Sequence, residues 1–230
     1  GRVVLVDESN LIIVTYDSDG SNRSDRGLNL PSQASSFVIE GLTLSQGGDV
    51  YVGVEYTDDT EYNKIYKYSR NGEFVTSWGE RGTGLGQFSD IIALNLDSDG
   101  YIYVLDEAGK VAKFTPDGTF VYEFNHGIVP NPGESIVDIA IDNTDTIMVS
   151  YQQYVYLYDQ TGGYIDRRDI STEAYWGEAV SWLRIDVNSD GEILIGDDGN
   201  QGIYYYDDSF ALLDRFLSKI SWEGGIIPSY

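Results

Sequence analysis

Apolar residues fall along this chain in short strand-like runs, and one run returns five times in the same register: Val4-Leu5-Val6, Tyr51-Val52-Gly53, Tyr103-Val104-Leu105, Met148-Val149-Ser150 and Leu194-Ile195-Gly196. The middle residues of successive runs are 47, 52, 45 and 46 residues apart. A period of this length with β-type patterning predicts propeller blades rather than a helical solenoid.

The register extends to both sides. Alternating strands such as Leu42-Thr43-Leu44, Leu94-Asn95-Leu96, Ile139-Ala140-Ile141 and Ile185-Asp186-Val187 precede the second to fifth runs, and three of them turn through Gly48, Gly100 and Gly191. Glycine enters positive φ cheaply, so these read as hairpins. A third strand ends in an aromatic at Tyr16, Tyr68, Phe114, Tyr158 and Tyr206, and four of these are followed four residues later by glycine. A fourth strand comes next, as in Glu73 to Trp78 and Thr119 to Phe124. Four antiparallel strands in each of five units predict an all-β, five-bladed β-propeller formed by residues 1–230 as a single domain.

The inner strand of the first unit is missing from the N-terminal end. If Tyr230 is joined to Gly1, the segment from about Trp222 to Ser229 falls into the missing register, and Gly1 falls where Gly48, Gly100 and Gly191 fall. The expectation is a ring closed by this C-terminal strand, which removes an exposed sheet edge. The strand is supplied either by the chain itself or by a neighbouring molecule, the second arrangement giving a filament. The chain also reads as one ring's worth of a longer tandem array.

Composition narrows the function classes. There is no cysteine, which removes disulfides, thiol nucleophiles and Cys-ligated zinc together. With 14 basic against 38 acidic residues the net charge is −24, so nucleic acid and the surface of an anionic membrane are poor partners. No apolar run approaches the roughly 20 residues of a membrane span. The chain starts without Met or a signal peptide and so reads as processed or trimmed. High acidity, few lysines and an abundance of Ser, Thr, Asn, Gly and Tyr predict an extracellular or cell-surface location.

Residues 78–121 resemble a known repeat. The run Trp78-Gly79-Glu80-Arg81-Gly82-Thr83-Gly84-Leu85-Gly86-Gln87-Phe88 leads into Leu94 to Asp106 and then Val111 to Gly118. This succession of a glycine-rich linker ending in Gly-Gln-Phe, an Asp-x-Asp-Gly turn, an Ile-Tyr-Val-x-Asp strand and an aromatic-x-x-Asp-Gly turn resembles the NHL repeat. The resemblance implies a propeller, in a family whose members include binding platforms, lyases and hydrolases and which typically closes with six blades. The glycine cluster at Gly82, Gly84 and Gly86 has no helix after it and reads as linker rather than phosphate loop.

Three classes of candidate site remain. The acidic turns Asp17-Ser18-Asp19-Gly20, Asp97 to Gly100 and Asn188 to Gly191 resemble the first half of a calcium loop but lack its terminal Glu, and turn chemistry alone explains them. The best local calcium candidates are Asp197, Asp198 and Asn200 with Asp207 on the next strand, then Asp17 and Asp19. Alternation along the inner strands points Glu40, Asn95, Asp138, Arg184 and Asp186 into the central channel, where they form a ligand or metal site or else are hydrated and ion-paired. Asp7, Asp106 and Asp197 share a second-strand position and read as caps for amides of the next blade.

Catalytic signals are thin. The lone His126 lies in an inter-blade loop, and no Gly-x-Ser-x-Gly elbow is present. Tyrosines such as Tyr154 and Tyr205 crowd neighbouring strand positions and suit sugar stacking or subunit contact, with Trp222, Ile226, Ile227 and Tyr230 as the closing interface. The reading is a non-catalytic extracellular binding or self-assembly module, whose partner is another copy, an extracellular protein or a glycan. The alternatives are a carbohydrate-binding propeller and a calcium-dependent hydrolase or lyase at the channel mouth.

Overall fold

A computed structural model describes residues 2–7, 12–17, 19–27, 37–56, 63–132, 134–170, 183–188, 190–197 and 202–217. All regular structure among them is β-strand. A leading sheet holds β1 (Arg2–Asp7), β2 (Ile12–Asp17) and β3 (Ser24–Gly27). Blade I comprises β4 (Phe37–Leu44), β5 (Val50–Tyr56), β6 (Lys64–Tyr68) and β7 (Phe74–Trp78). Blade II comprises β8 (Ile91–Leu96), β9 (Ile102–Asp106), β10 (Lys110–Phe114) and β11 (Phe120–Asn125). Blade III comprises β12 (Ile136–Ile141), β13 (Ile147–Tyr151), β14 (Tyr154–Tyr158) and β15 (Tyr164–Asp169), and blade IV β16 (Leu183–Val187), β17 (Ile193–Asp197), β18 (Gly202–Tyr206) and β19 (Leu212–Leu217).

Each blade is a four-stranded antiparallel meander in sequence order, and the first strands β4, β8, β12 and β16 stand beside one another around a hub. The sequence reading counts five four-stranded blades, whereas the described residues form four, and the leading sheet has three strands. The difference lies in the innermost strand of the leading sheet. That strand was assigned to residues 222–229, which lie outside the described residues.

Blades are joined by sheet-on-sheet packing. Tyr51 and Ile65 of blade I are buried in one cluster with Ile91, Leu94, Ile102 and Val104 of blade II. Tyr103, Leu105 and Val111 of blade II meet Ile139, Ile141 and Val149 of blade III, and Met148, Val155 and Leu157 of blade III meet Ile185, Ile193 and Ile195 of blade IV. Ile13 of the leading sheet joins Val50, Val52, Tyr66 and Tyr68 of blade I. Second strands such as β9 therefore carry apolar side chains on both faces, which accounts for the weak polar alternation of runs such as Ile102–Asp106.

The turns follow one plan. Asp97 Oδ1 accepts the N–H groups of Asp99 at 3.1 Å and Tyr101 at 2.8 Å, and Asp142, Asp159, Asn188 and Asp207 repeat this with the residues two and four further on. Three residues into the first turn of a blade the backbone is left-handed, at Gly48, Gly100 and Gly191, and Asp145 takes that place in blade III with φ 61°.

Two glycines fit blade I to blade II. A Cβ on Gly53 would lie 2.7 Å from Leu94 Cδ2 and 3.2 Å from Ile91 Cγ2, and one on Gly41 would lie 2.6 Å from Leu94 Cδ2. The absent side chains let Leu94 sink between β4 and β5. Gly53→Ala is expected to cost about 1–3 kcal/mol through overpacking, read as a lower melting temperature. Gly47→Ala, whose Cβ meets only Ser45 Oγ at 3.7 Å, is the control that leaves the melt unchanged.

Candidate functional site at the hub

The inner strands and their turns surround a cavity of about 1340 Å³ lined from all four blades. Thr43, Asn95, Asp138, Arg184 and Asp186 reach its wall, and Gln46, Asp99, Asn143 and Asn188 form its turn-side rim. Of the channel residues expected from the sequence, Asn95, Asp138, Arg184 and Asp186 are thus brought together. Glu40 is not among the lining residues. In β4 the pairing passes from Ile39↔Val54 to Gly41↔Gly53, so Glu40 is the extra residue of a bulge and leaves the simple alternation. It falls near Glu55, whose carboxyl is pushed up by burial and by the negative charges of Asp90 and Glu40, with Arg81 opposing.

The hub side chains hold neighbouring blades. Asn95 Nδ2 donates to the Ile139 carbonyl at 3.4 Å, and Arg184 Nη1 donates back to the Val137 carbonyl at 3.2 Å. Asp138 Oδ1 accepts the N–H of Ile139 at 2.9 Å and its Oδ2 accepts the N–H of Ile185 across the III–IV junction at 3.1 Å. Ser150 Oγ donates to the Leu183 carbonyl at 2.7 Å. Burial pushes the Asp138 carboxyl up to about 6, against the two amide donors and Arg184. Asp186 is pushed up as well by the protein around it, although its side chain faces hub water, which screens the effect.

The remaining candidates separate. Asp207 Oδ1 is occupied by Ser209 N, Ser209 Oγ and Ala211 N, and Asp19 accepts the N–H of Ser21 at 2.9 Å, so both act in turns. Asp197 is buried at the end of β17. Asp17 closes β2, and its side chain lies outside the described residues, as do Asp198 and Asn200. Among the described residues no group of three acidic, His or Cys side chains has metal-binding geometry. Asp106 caps Lys110 N of its own blade at 2.9 Å and Ser89 N, in the segment that leads into that blade, at 3.1 Å, rather than amides of the next blade as the repeat suggested.

His126 is buried, its Nδ1 accepting the N–H of Ile128 at 3.1 Å. The proton therefore sits on Nε2, which has no partner among the described residues, and burial lowers the imidazole to about 4. Tyr154 lies under the Arg167 guanidinium at 4.1 Å, and Tyr205 hydrogen-bonds Glu192 and Asn188 at 3.1 Å each. Trp222, Ile226, Ile227 and Tyr230 lie outside the described residues.

Sequence reasoning missed a pair of junction contacts and one cluster inside blade II. Lys67 Nζ donates to the Pro116 carbonyl of blade II at 3.1 Å, and Tyr122 OH donates to the corresponding Gln160 carbonyl of blade III. Lys113 pairs with Asp97 at 2.8 Å and sits over the rings of Tyr101, Tyr103 and Tyr122. The recurrence of Lys at position −1 from the third-strand aromatic, Lys67 and Lys113, was the available signal.

No protein-family model and no curated protein sequence matches the chain. Among solved structures it is similar to virginiamycin B lyase from Staphylococcus aureus, with TM-score 0.60 and 17% identity over 96% of this chain and 68% of that one. A streptogramin B lyase matches with TM-score 0.61 and 19% identity over 96% and 66%. A protein of unknown function from Bacteroides caccae matches with TM-score 0.64 and 12% identity over 96% and 80%. At these identities the likeness carries the propeller fold alone, and the NHL resemblance gains no matching family model.

The hub and His126 make opposite pH predictions. Asp138 is raised in the folded chain from 3.8 to about 6, so its favourable contribution is complete below pH 3.8 and is lost as pH rises through 6. His126 is lowered from 6.5 to about 4, so its penalty is absent above pH 6.5 and grows as pH falls toward 4. Relative to the unmodified chain, Asp138→Asn is expected to melt higher at pH 7.5 than at pH 4.5, and His126→Asn to show the reverse trend. Each swing is on the order of 1–3 kcal/mol, measured by thermal unfolding across pH 4–8.

Proposed function

We propose that this chain is a non-catalytic β-propeller binding module that works outside the cell and takes its partner at the hub, with the leading sheet serving as its fifth blade. The observation that carries this reading is the fate of the hub polar groups. They come from every blade into one cavity, yet Asn95, Asp138 and Arg184 among them are fixed by backbone groups of adjacent blades instead of standing as acid–base pairs. A carboxylate with both oxygens engaged, like Asp138, is a preorganised wall element and a poor proton shuttle.

The chemistry of the partner follows from charge. Asp99, Asp142 and Asp186 line the cavity, and the chain carries −24. A rim of this sign favours a cationic protein segment and disfavours anionic ligands. Calorimetric titration with Lys/Arg-rich peptides is expected to show binding that weakens about tenfold from low to physiological salt and weakens several-fold further in Asp186→Asn. Binding of neutral oligosaccharides with no salt dependence would move the assignment to a glycan. Turnover of a screened substrate, lost in Asp138→Asn, would replace it with the hydrolase or lyase reading, which the raised Asp138 carboxyl favours.

A second reading is self-association into a filament or array, favoured by an apolar face of blade IV that bears exposed Leu194, Ile203 and Phe216. Light scattering and electron microscopy with and without a chelator separate the two. A 25.6 kDa monomer under all conditions sinks assembly. Ordered polymers that dissolve on chelation support both assembly and calcium in the acidic turns.

A further inference from the structure

A single cation stands among the carboxylates of the hub. Among the described residues that line the cavity Arg184 alone is basic, against Asp97, Asp99, Asp138, Asp142 and Asp186. Two of these carboxylates are already engaged elsewhere. Asp97 pairs with Lys113 at 2.8 Å. Asp138 feels the guanidinium's charge but commits its two oxygens to the N–H groups of Ile139 and Ile185.

The unused edge of the guanidinium defines what it can hold. Arg184 Nη1 donates to the Val137 carbonyl at 3.2 Å, which leaves the edge formed by Nε and Nη2 without an acceptor among the described residues. Two parallel N–H groups on one edge match the two oxygens of a carboxylate, a fit that a lysine ammonium cannot offer. Arg184 and Asp186 are the exposed residues of β16, where burial alternates along the strand. They therefore share a face and stand about 7 Å apart along it. Because β16 runs toward the rim at Asn188, the cation lies deeper in the cavity than the carboxylate. Asp99 and Asp142 continue the negative charge around the turns.

A ligand that matches this order carries one negative group at its inner end and positive charge behind it. We propose that the hub takes the C-terminus of a Lys/Arg-rich protein segment, its terminal carboxylate held by the Nε and Nη2 edge of Arg184 and the preceding cationic side chains met by Asp186, Asp99 and Asp142. The proposal rests on the reading of the hub as a site for a cationic segment and adds which end of that segment enters. An internal stretch of such a segment would set its cations against an unmet guanidinium, a like-charge contact in a partly enclosed cavity. A terminal carboxylate removes that repulsion and supplies the missing acceptor.

The unmodified chain suffices for the first test. Two N-acetylated peptides of one Lys/Arg-rich sequence, one with a free C-terminal carboxylate and one amidated, are titrated calorimetrically at the same salt. Amidation makes the peptide more cationic by one charge, so attraction to a chain of net charge −24 alone makes the amide the equal or better ligand. The proposal reverses that order, and the free acid is expected to bind roughly tenfold more tightly. Equal or tighter binding of the amide overturns the proposal and leaves the hub assigned to cationic segments in general. Failure of both peptides to bind overturns that assignment and the proposal with it. Tighter binding of oligogalacturonate, which offers carboxylates without cations, replaces the peptide terminus with an acidic glycan.

Arg184→Lys keeps the charge and loses the paired edge, so it is expected to remove most of the preference for the free acid. Its melting temperature reports whether losing the Val137 contact has damaged the fold. A folded variant that keeps the full preference overturns the role of Arg184. Should the variant not fold, the Arg184 Nε–H resonance of the unmodified chain answers the same question. It is expected to shift with the acid and not with the amide, and a resonance that moves with neither overturns the contact.

Discussion

Packing of one blade's apolar face onto the opposite face of the next is the interaction on which the rest of this molecule depends. A four-stranded meander with apolar residues on both faces cannot shield itself from water; it needs a neighbour on each side. Ile65, Val104, Val111, Val149 and Ile195 are all fully buried at such junctions. Each contributes about 1.5–3 kcal/mol by leaving water. Local fit is equally constrained, because Leu94 occupies space that exists only while Gly41 and Gly53 lack a Cβ. Stability is therefore a property of the stack, approximately a sum over blades and junctions.

Junction packing also dictates what the polar residues do. Inner strands crowd together at the hub, where backbone groups at their ends and bulges lose partners within their own sheet. Asn95, Arg184, Asp138 and Ser150 supply those partners across the II–III and III–IV junctions. At the turn level, Lys67 and Tyr122 do the same for the carbonyls of Pro116 and Gln160. An unmet buried backbone group costs as much as a lost hydrogen bond or more, so these side chains are held in place by necessity. The hub inherits rigidity from this, which is the property a binding wall needs.

Strands, turns and blade order were legible because each depends on local pattern: the second-strand runs became β1, β5, β9, β13 and β17. The turn glycines at 48, 100 and 191 indeed have positive φ. Asp145 was not legible as their counterpart, since a non-glycine in the left-handed region is stabilised by context: its carboxylate accepts Ser98 N and Gln160 Nε2. Glu40 was misplaced by a bulge, which breaks period-two counting without altering composition. Asp138 and Arg184 were legible as hub residues but not as clasps, because a partner 47 residues away is set by junction geometry. His126 was ambiguous for a similar reason; only its burial distinguishes a neutral structural imidazole from a base.

Charge acts on this stack unevenly. At −24 the folded chain brings carboxylates closer than the unfolded one does, and protonation relieves that repulsion. The carboxyls of Asp138 and Glu55, at or near junctions, are raised by burial, and Asp186 in the same sense but screened by water, so the folded state takes up their protons before the unfolded state does. His126 works in the opposite sense, because its buried ring resists the proton that an unfolded imidazole accepts. Several junction carboxyls against a single imidazole shift the balance toward tolerance of mild acid. Below about pH 4 both contributions level off, because His126 is then protonated in the folded and unfolded states alike and these carboxyls have no further protons to gain.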